Sequence, residues 1–306
     1  VTDARIGVLA GLATAGLWVV SSMSFTASGR SLGATRVNLL RIVAAAIVLC
    51  ALQWFVFGRL VPGVPREALV WFAISGFLGL TVGDQFLFTG YVMLGPRLVS
   101  VLMTLAPSMS AAIAWLAFGE TMGRWAVAGM LVTTIGVAWA ALGRAEADAP
   151  HSPQDRRRGL WFGLAAALCQ ALGMVTANRG FLMRVSPLDA GTLRMYAGAI
   201  TVVPLAFLAT RAGLTVTAQP SRRAHAILAL GVLSGPLLGV YCNMVSLANV
   251  PVGVAATLIG LVPVLILPAS RIVHGDPISP RAAIGAVIAF SGIAILGLAP
   301  AETAST

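Results

Sequence analysis

The chain has 306 residues, of which 58% are hydrophobic and 10% charged, with a mean hydropathy of +0.92. A soluble fold carries roughly 25% charged residues, so this composition excludes a water-covered globule and calls for a surface that faces lipid. The net charge of +10 comes from 20 Arg and no Lys against 10 acidic residues, but the arginines punctuate hydrophobic runs instead of gathering on a soluble stretch, which excludes a nucleic-acid-binding surface.

A helix crosses the hydrocarbon core with about 20 mostly apolar residues, and helix is the default there because the backbone must satisfy itself. Ten runs qualify, near 6–28, 36–57, 68–91, 97–118, 124–143, 159–182, 188–210, 226–247, 252–272 and 281–299. The first lacks a small-residue cleavage pattern followed by a polar segment, so it reads as a retained helix and not as a leader. The longest polar gap, 144–158, holds Glu146, Asp148, Pro150, His151, Pro153 and Asp155. It divides a first unit, 1–143, from a second, 159–299. The expected fold is therefore all-α, a polytopic membrane protein of ten transmembrane helices.

Polar side chains are costly inside a bilayer, about 2.5–3.5 kcal/mol for a charge at mid-helix, so the exceptions are informative. The first run places Thr14, Trp18, Ser21, Ser22 and Phe25 on one helical face. Trp18 is too deep for an interfacial belt, and an aromatic and hydroxyl face suits a pocket for amphipathic solutes. Arg41 lies early in the second run and Arg194 early in the seventh. A guanidinium there either grips a substrate carboxylate, or snorkels to the headgroups or neutralises a loop acid; nearness to the helix start favours a structural role.

Asp84 sits well inside the third run, with Phe88 and Tyr91 following on its face. It is read either as a proton-linked or substrate-contacting carboxylate facing a wet cavity, or as an acid near one interface tied to Arg97 or to backbone. Ser100 and Thr104 on the fourth run, Gln170, Thr176 and Asn178 on the sixth, Tyr241 and Asn243 on the eighth and Thr257 on the ninth are read either as cavity lining or as polar glue between helices. Pro107 and Pro263 break the backbone ladder in midmembrane and permit a bend. Gly231, Gly235 and Gly239 permit close helix approach. Glu120 and Asp276 lie at loop edges, where each is expected to cap the next helix.

Cys50, Cys169 and Cys242 all fall inside hydrophobic runs and read as packing residues. His151, His225 and His274 lie far apart in loops, without metal-ligand spacing. No metal or other cofactor is expected. The partners expected are a small-molecule substrate and the lipid bilayer, with the chain working as a monomer. The motifs of intramembrane enzymes are missing: there is no His-Glu-x-x-His, no Gly-x-Ser-x-Gly and no paired membrane aspartates. Nor are there repeated pore-loop signals or charge rings.

An internal repeat runs through the chain. Pro107, Gly119-Glu120, Gly129 and Gly136 recur as Pro263, Gly275-Asp276, Gly285 and Gly292, each displaced by 156 positions. Gly79 and Gly83 match Gly235 and Gly239 at the same offset, and Leu40-Arg41 matches Leu193-Arg194 at one three positions shorter. Five helices per unit return the chain to the opposite side, so the second unit enters the membrane inverted, and inverted repeats commonly hold a solute site between them.

These residues carry a resemblance. Gly83-Asp84-Gln85-Phe86-Leu87-Phe88-Thr89-Gly90-Tyr91, Gly95-Pro96-Arg97, Leu105-Ala106-Pro107 and Phe118-Gly119-Glu120, repeated as Leu261-Val262-Pro263 and Gly275-Asp276, resemble the EamA family of the drug/metabolite transporter superfamily. Among its members the chain looks most like the YddG-type amino-acid exporters. The resemblance implies a bacterial inner-membrane transporter, usually an exporter of amino acids or other small metabolites, acting by alternating access. An organic-cation exporter that uses Asp84 is the alternative. The first helix has no carboxylate, so the proton-for-cation mechanism of the small multidrug relatives is not carried over. The resemblance also implies cytoplasmic termini, whereas most arginines lie in loops on the side opposite the N-terminus, and the positive-inside rule then puts the N-terminus outside.

Overall fold

The computed structural model describes residues 3–120, 122–145, 153–211, 221–262, 264–266, 268–269 and 280–298. Pro263 and Asp276 lie outside them, as do the side chains of Tyr91 and Ser100. Among the described residues there is no strand. The helices are α1 (Ala4–Leu32), α2 (Ala34–Phe57), α3 (Arg66–Gly76), α4 (Asp84–Met103), α5 (Ala106–Phe118), α6 (Arg124–Ala145), α7 (Pro153–Phe181), α8 (Pro187–Arg211), α9 (Arg222–Val232), α10 (Val240–Asn249), α11 (Val252–Ile259) and α12 (Pro280–Leu298). Two π-helical segments, Phe77–Gly83 and Leu233–Gly239, join α3 to α4 and α9 to α10.

Among the described residues ten apolar segments follow, as the ten runs predict. Six are long enough to cross a membrane, and four, Ala106–Phe118, Arg124–Trp139, Val252–Ile266 and Ala283–Ile295, are shorter. In each unit the first three are long and the last two short. The apolar side chains on the outside, such as Phe55 at 83% exposed, Leu116 at 74% and Ile200 at 73%, have no reason to point outward except into lipid. Within these helices most hydroxyls bond to a carbonyl one turn back. Thr14 to Ala10, Ser110 to Ala106, Thr176 to Leu172 and Thr257 to Gly253 do so at 2.7–2.8 Å, so a Ser or Thr can sit in a lipid-bound helix at little cost.

The repeat is visible in the backbone. The two π-helical segments lie 156 positions apart, and so do the breaks at Thr104–Leu105 and Gly260–Leu261, each ahead of the paired prolines Pro107 and Pro263. The inversion is visible too. Where α6 crosses α12, Gly136 lies against Gly285 and Ala289, and Gly292 lies against Gly129 and Thr133. Numbers that rise along one helix fall along the other, so equivalent helices of the two units run antiparallel through one symmetric contact.

Two boundaries differ from the expected ones. The expected loop between the third and fourth runs is helical, continuous from Arg66 to Met103. The second unit does break there, at Val250, whose extended backbone (φ −135°, ψ 157°) precedes Pro251; the aligned position of the first unit is Gly95. The polar gap is also narrower than 144–158, because α6 runs to Ala145 and α7 begins at Pro153. The glycine of the Gly-acid pair proves to be a helix stop. Gly119 is left-handed at φ 68°, and the next amide, Glu120 N, reaches back to Ala114 O at 3.2 Å.

Candidate functional site

A cavity of about 470 Å³ lies between the two units, within the range of roughly 300–1,000 Å³ usual for small-molecule sites. Trp18, Ser21, Ser22 and Phe25 form one wall. They sit where the first-helix face predicts them, because the glycines of α9 and of the second π-helical segment let α1 come close. A Cβ on Gly231 would stand 2.6 Å from the Phe25 ring, one on Gly239 2.6 Å from Trp18, and one on Gly235 would strike Ser21 Oγ. The glycine ladder thus seats the aromatic face of α1.

At the centre lies a buried ion pair. The Arg41 guanidinium binds Asp84 Oδ2 and also donates through Nε and Nη2 to Asn38 Oδ1 at 3.0 and 2.9 Å. Its Cζ stands 5.5 Å from the Phe25 ring centre and 5.2 Å from that of Phe88, within cation–π range. Gln170 Nε2 donates to the other Asp84 oxygen at 3.1 Å. The first π-helical segment ends immediately before Asp84, and the wider turn sets the carboxylate where both α2 and α7 can reach it. Of the two sequence readings of Asp84, one faces it into a cavity, whose wall it joins, and the other ties it to Arg97 or to backbone; its ion-pair partner is Arg41, one helix away. Nor do Arg41 and Arg194 snorkel. Only 8% of Arg41 and 3% of Arg194 is exposed, and both line the cavity. Deep in the bundle a guanidinium cannot reach the headgroups and must find partners inside.

Of the other expected cavity residues, Phe88, Thr104, Gln170 and Asn243 are on the wall, and so is Pro107, expected as a bend. Asn178, Tyr241 and Thr257 are not. Asn178 Nδ2 donates to Glu120 Oε1 at 2.9 Å at a helix end; Tyr241 is 44% exposed on the lipid side; and the Thr257 hydroxyl is spent on Gly253 O. Glu120 thereby meets a side chain of the other unit. Sequence reasoning missed Met103, Met174, Met195 and Pro236 on the wall. Only their helical register, set by packing, brings them there.

The cavity reaches towards one end of the bundle and is tied shut at the other. Its lining reaches Gly29 and Val37, which flank the Gly33 turn between α1 and α2. At the opposite end, contacts between the two units close the bundle. Besides Asn178–Glu120, Gln53 Nε2 donates to Asp189 Oδ1 at 3.0 Å, Tyr196 OH to Leu60 O at 2.7 Å and Asp3 N to Asn249 Oδ1 at 3.1 Å. Arg179 pairs with Glu120 at 3.6 Å and packs over the Phe118 ring. No group of three or more metal-ligating side chains occurs among the described residues.

A solved crystal structure shares this fold with a TM-score of 0.76 at 19% sequence identity, over 98% of this chain and 100% of its own. No curated protein matches the chain. The model of the EamA-like transporter family matches twice, over residues 5–142 and 157–298. The chain is a multi-pass membrane protein of the drug/metabolite transporter type, built from two copies of one helical unit, and it belongs to the EamA-like transporter family.

Proposed function

We propose that the protein carries small organic metabolites, amino acids among them, across a bacterial inner membrane by alternating access, in the direction of export and as a monomer. One observation supports this above the rest. The cavity is lined by both units, reaches towards one end of the bundle and is closed at the other by hydrogen bonds that join the units. Separating those bonds while the Gly33 end closes converts one access into the other. The breaks at Thr104–Leu105 and Gly260–Leu261 are suitable hinges, because backbone carbonyls are already released there.

The organic-cation alternative asks Asp84 to hold a cation. Both of its oxygens are already engaged, one by Arg41 and one by Gln170, which favours a structural and field-setting role over cation capture. Purified protein in vesicles, given a labelled amino-acid panel with and without an imposed pH gradient, tests the main reading. Solute-specific flux is expected, and absence of movement for the whole panel overturns the amino-acid assignment. Cation export that survives Asp84→Asn removes the alternative.

A further inference from the structure

The two units carry the same arginine but not the same acid. Arg41 and Arg194 are counterparts, and so, 156 positions apart, are Asp84 and Val240. Each of the latter follows directly on its π-helical segment. In the first unit arginine and acid pair. In the second the acid is a valine, and the arginine remains.

Arg194 is 3% exposed. Its hydrogen-bond contact is Nη1 to Met244 Sδ at 3.4 Å, a poor acceptor, and Nε has no partner. Asn243, on the same wall and 3% exposed, likewise has an unpartnered Oδ1. Asp84 acts on Arg194 through space, but its oxygens are held elsewhere. Among the described residues of the lining, Arg41, Asp84 and Arg194 are the ionisable ones, and together they carry one uncompensated positive charge. A buried cation without a counter-ion is costly, and this one faces the cavity. The rest of the wall is apolar and soft: Trp18, Phe25, Met103, Met174 and Met195.

We infer that Arg194 is the anchor for a substrate carboxylate, and that the transported solutes are amphipathic monoanions with an apolar body, whose ammonium group, where present, is not what the site recognises. This rests on the transport reading and narrows it. A carboxylate meets a guanidinium through paired N–H donors, supplies the charge that Val240 withholds, and lays its body against Phe25 and the methionines.

The test uses purified full-length protein in nanodiscs and four probes: L-phenylalanine, 3-phenylpropanoate, its neutral amide and 3-phenylpropylamine. Binding is read by competition and by shift of the melting temperature. The propanoate is expected to bind at least about tenfold more tightly than the amide, as loss of a charge-assisted hydrogen bond requires, with L-phenylalanine close to the propanoate and the amine weakest. Arg194→Gln should erase the preference for carboxylate over amide, and Arg194→Lys should keep part of it. Val240→Asp gives Arg194 an internal partner, so it should fold with a melting temperature at or above that of Arg194→Gln and lose carboxylate binding. Equal affinity for propanoate and amide, no binding of any probe at millimolar concentration, or an undiminished preference in folded Arg194→Gln overturns the inference. Flux in vesicles separates the two readings: carboxylate-selective binding without flux counts against transport alone, whereas flux without that selectivity counts against the anchor alone.

Discussion

Thr133 and Ala289 are each other's counterparts in the repeat, and they touch: the Thr133 hydroxyl approaches Ala289 O at 3.4 Å where α6 crosses α12. A pseudo-two-fold axis passes through that contact. Every substitution near it acts on both units at once, because a residue of one unit packs against its own image in the other.

The glycines beside the axis are the sensitive points. A Cβ on Gly292 would lie 2.5 Å from Thr133 N and 2.7 Å from Gly129 O, and backbone cannot step aside as a flexible side chain can. Gly292→Ala should therefore cost about 1–3 kcal/mol by overpacking and lower the melting temperature in detergent. Gly16 is the control. Nothing lies within 4 Å of its Cβ position, so Gly16→Ala should stay within about 0.5 kcal/mol of the parent. Equal destabilisation by the two substitutions would mean that the crossing is not close-packed.

Removing the acid of the central pair strands a buried cation. Asp84→Asn leaves Arg41 with Asn38 and two aromatic faces but no counter-charge, and should destabilise the fold by about 3–5 kcal/mol. Arg41→Gln together with Asp84→Asn should lose less than the sum of the two single changes, a coupling that a double-mutant cycle in thermal unfolding measures. Additive losses would show that the two side chains do not act as a pair.

Much of this was legible in the chain. Hydropathy alone marked ten segments, and the Pro–Gly–acid–Gly–Gly series revealed the repeat, because lipid and close helix packing constrain residue type locally. The first-helix face was legible for the same reason: Trp18, Ser21, Ser22 and Phe25 share one stripe at helical spacing. Partners were not legible. The Arg41–Asp84 pair spans 43 positions, and which turn of α2 faces which turn of α4 depends on the π-helical segment, which shifts the register of everything after it. A helix read at 3.6 residues per turn gives no sign of that shift, although Gly79 and Gly83 stand within it. Asn178 and Tyr241 illustrate the converse. Each is polar in an apolar run, yet one reaches a helix end and the other faces outward, and residue type does not separate these fates from a cavity wall.

The closed end of the bundle should have to open for transport. In a protein with Cys50, Cys169 and Cys242 replaced by Ala, cysteines at Glu120 and Asn178 should be joined readily by a short bifunctional thiosulfonate, because the native side chains meet at 2.9 Å. Flux should fall in proportion to the cross-linked fraction and return on reduction. Undiminished flux through fully cross-linked protein would show that this end stays shut throughout the cycle.

Antiparallel passage of α6 and α12 sets the two units in opposite senses across the membrane. Arg5 begins α1 and Arg157 lies in the first turns of α7, both exposed, with five membrane passages between them. An odd number of crossings puts them on opposite faces. Single cysteines at Arg5 and Arg157, in the same background without native cysteines, should react with an impermeant maleimide from opposite sides of sealed vesicles. The face on which Arg157→Cys reacts also decides between two topologies. Reaction from the cytoplasmic face follows the excess of arginine on that side of the bundle, whereas reaction from the outer face follows the cytoplasmic termini implied by the family. If both positions react from one face, an even number of helices crosses between them; the two units are then parallel, and an alternating-access cycle that depends on exchanging mirrored halves loses its basis.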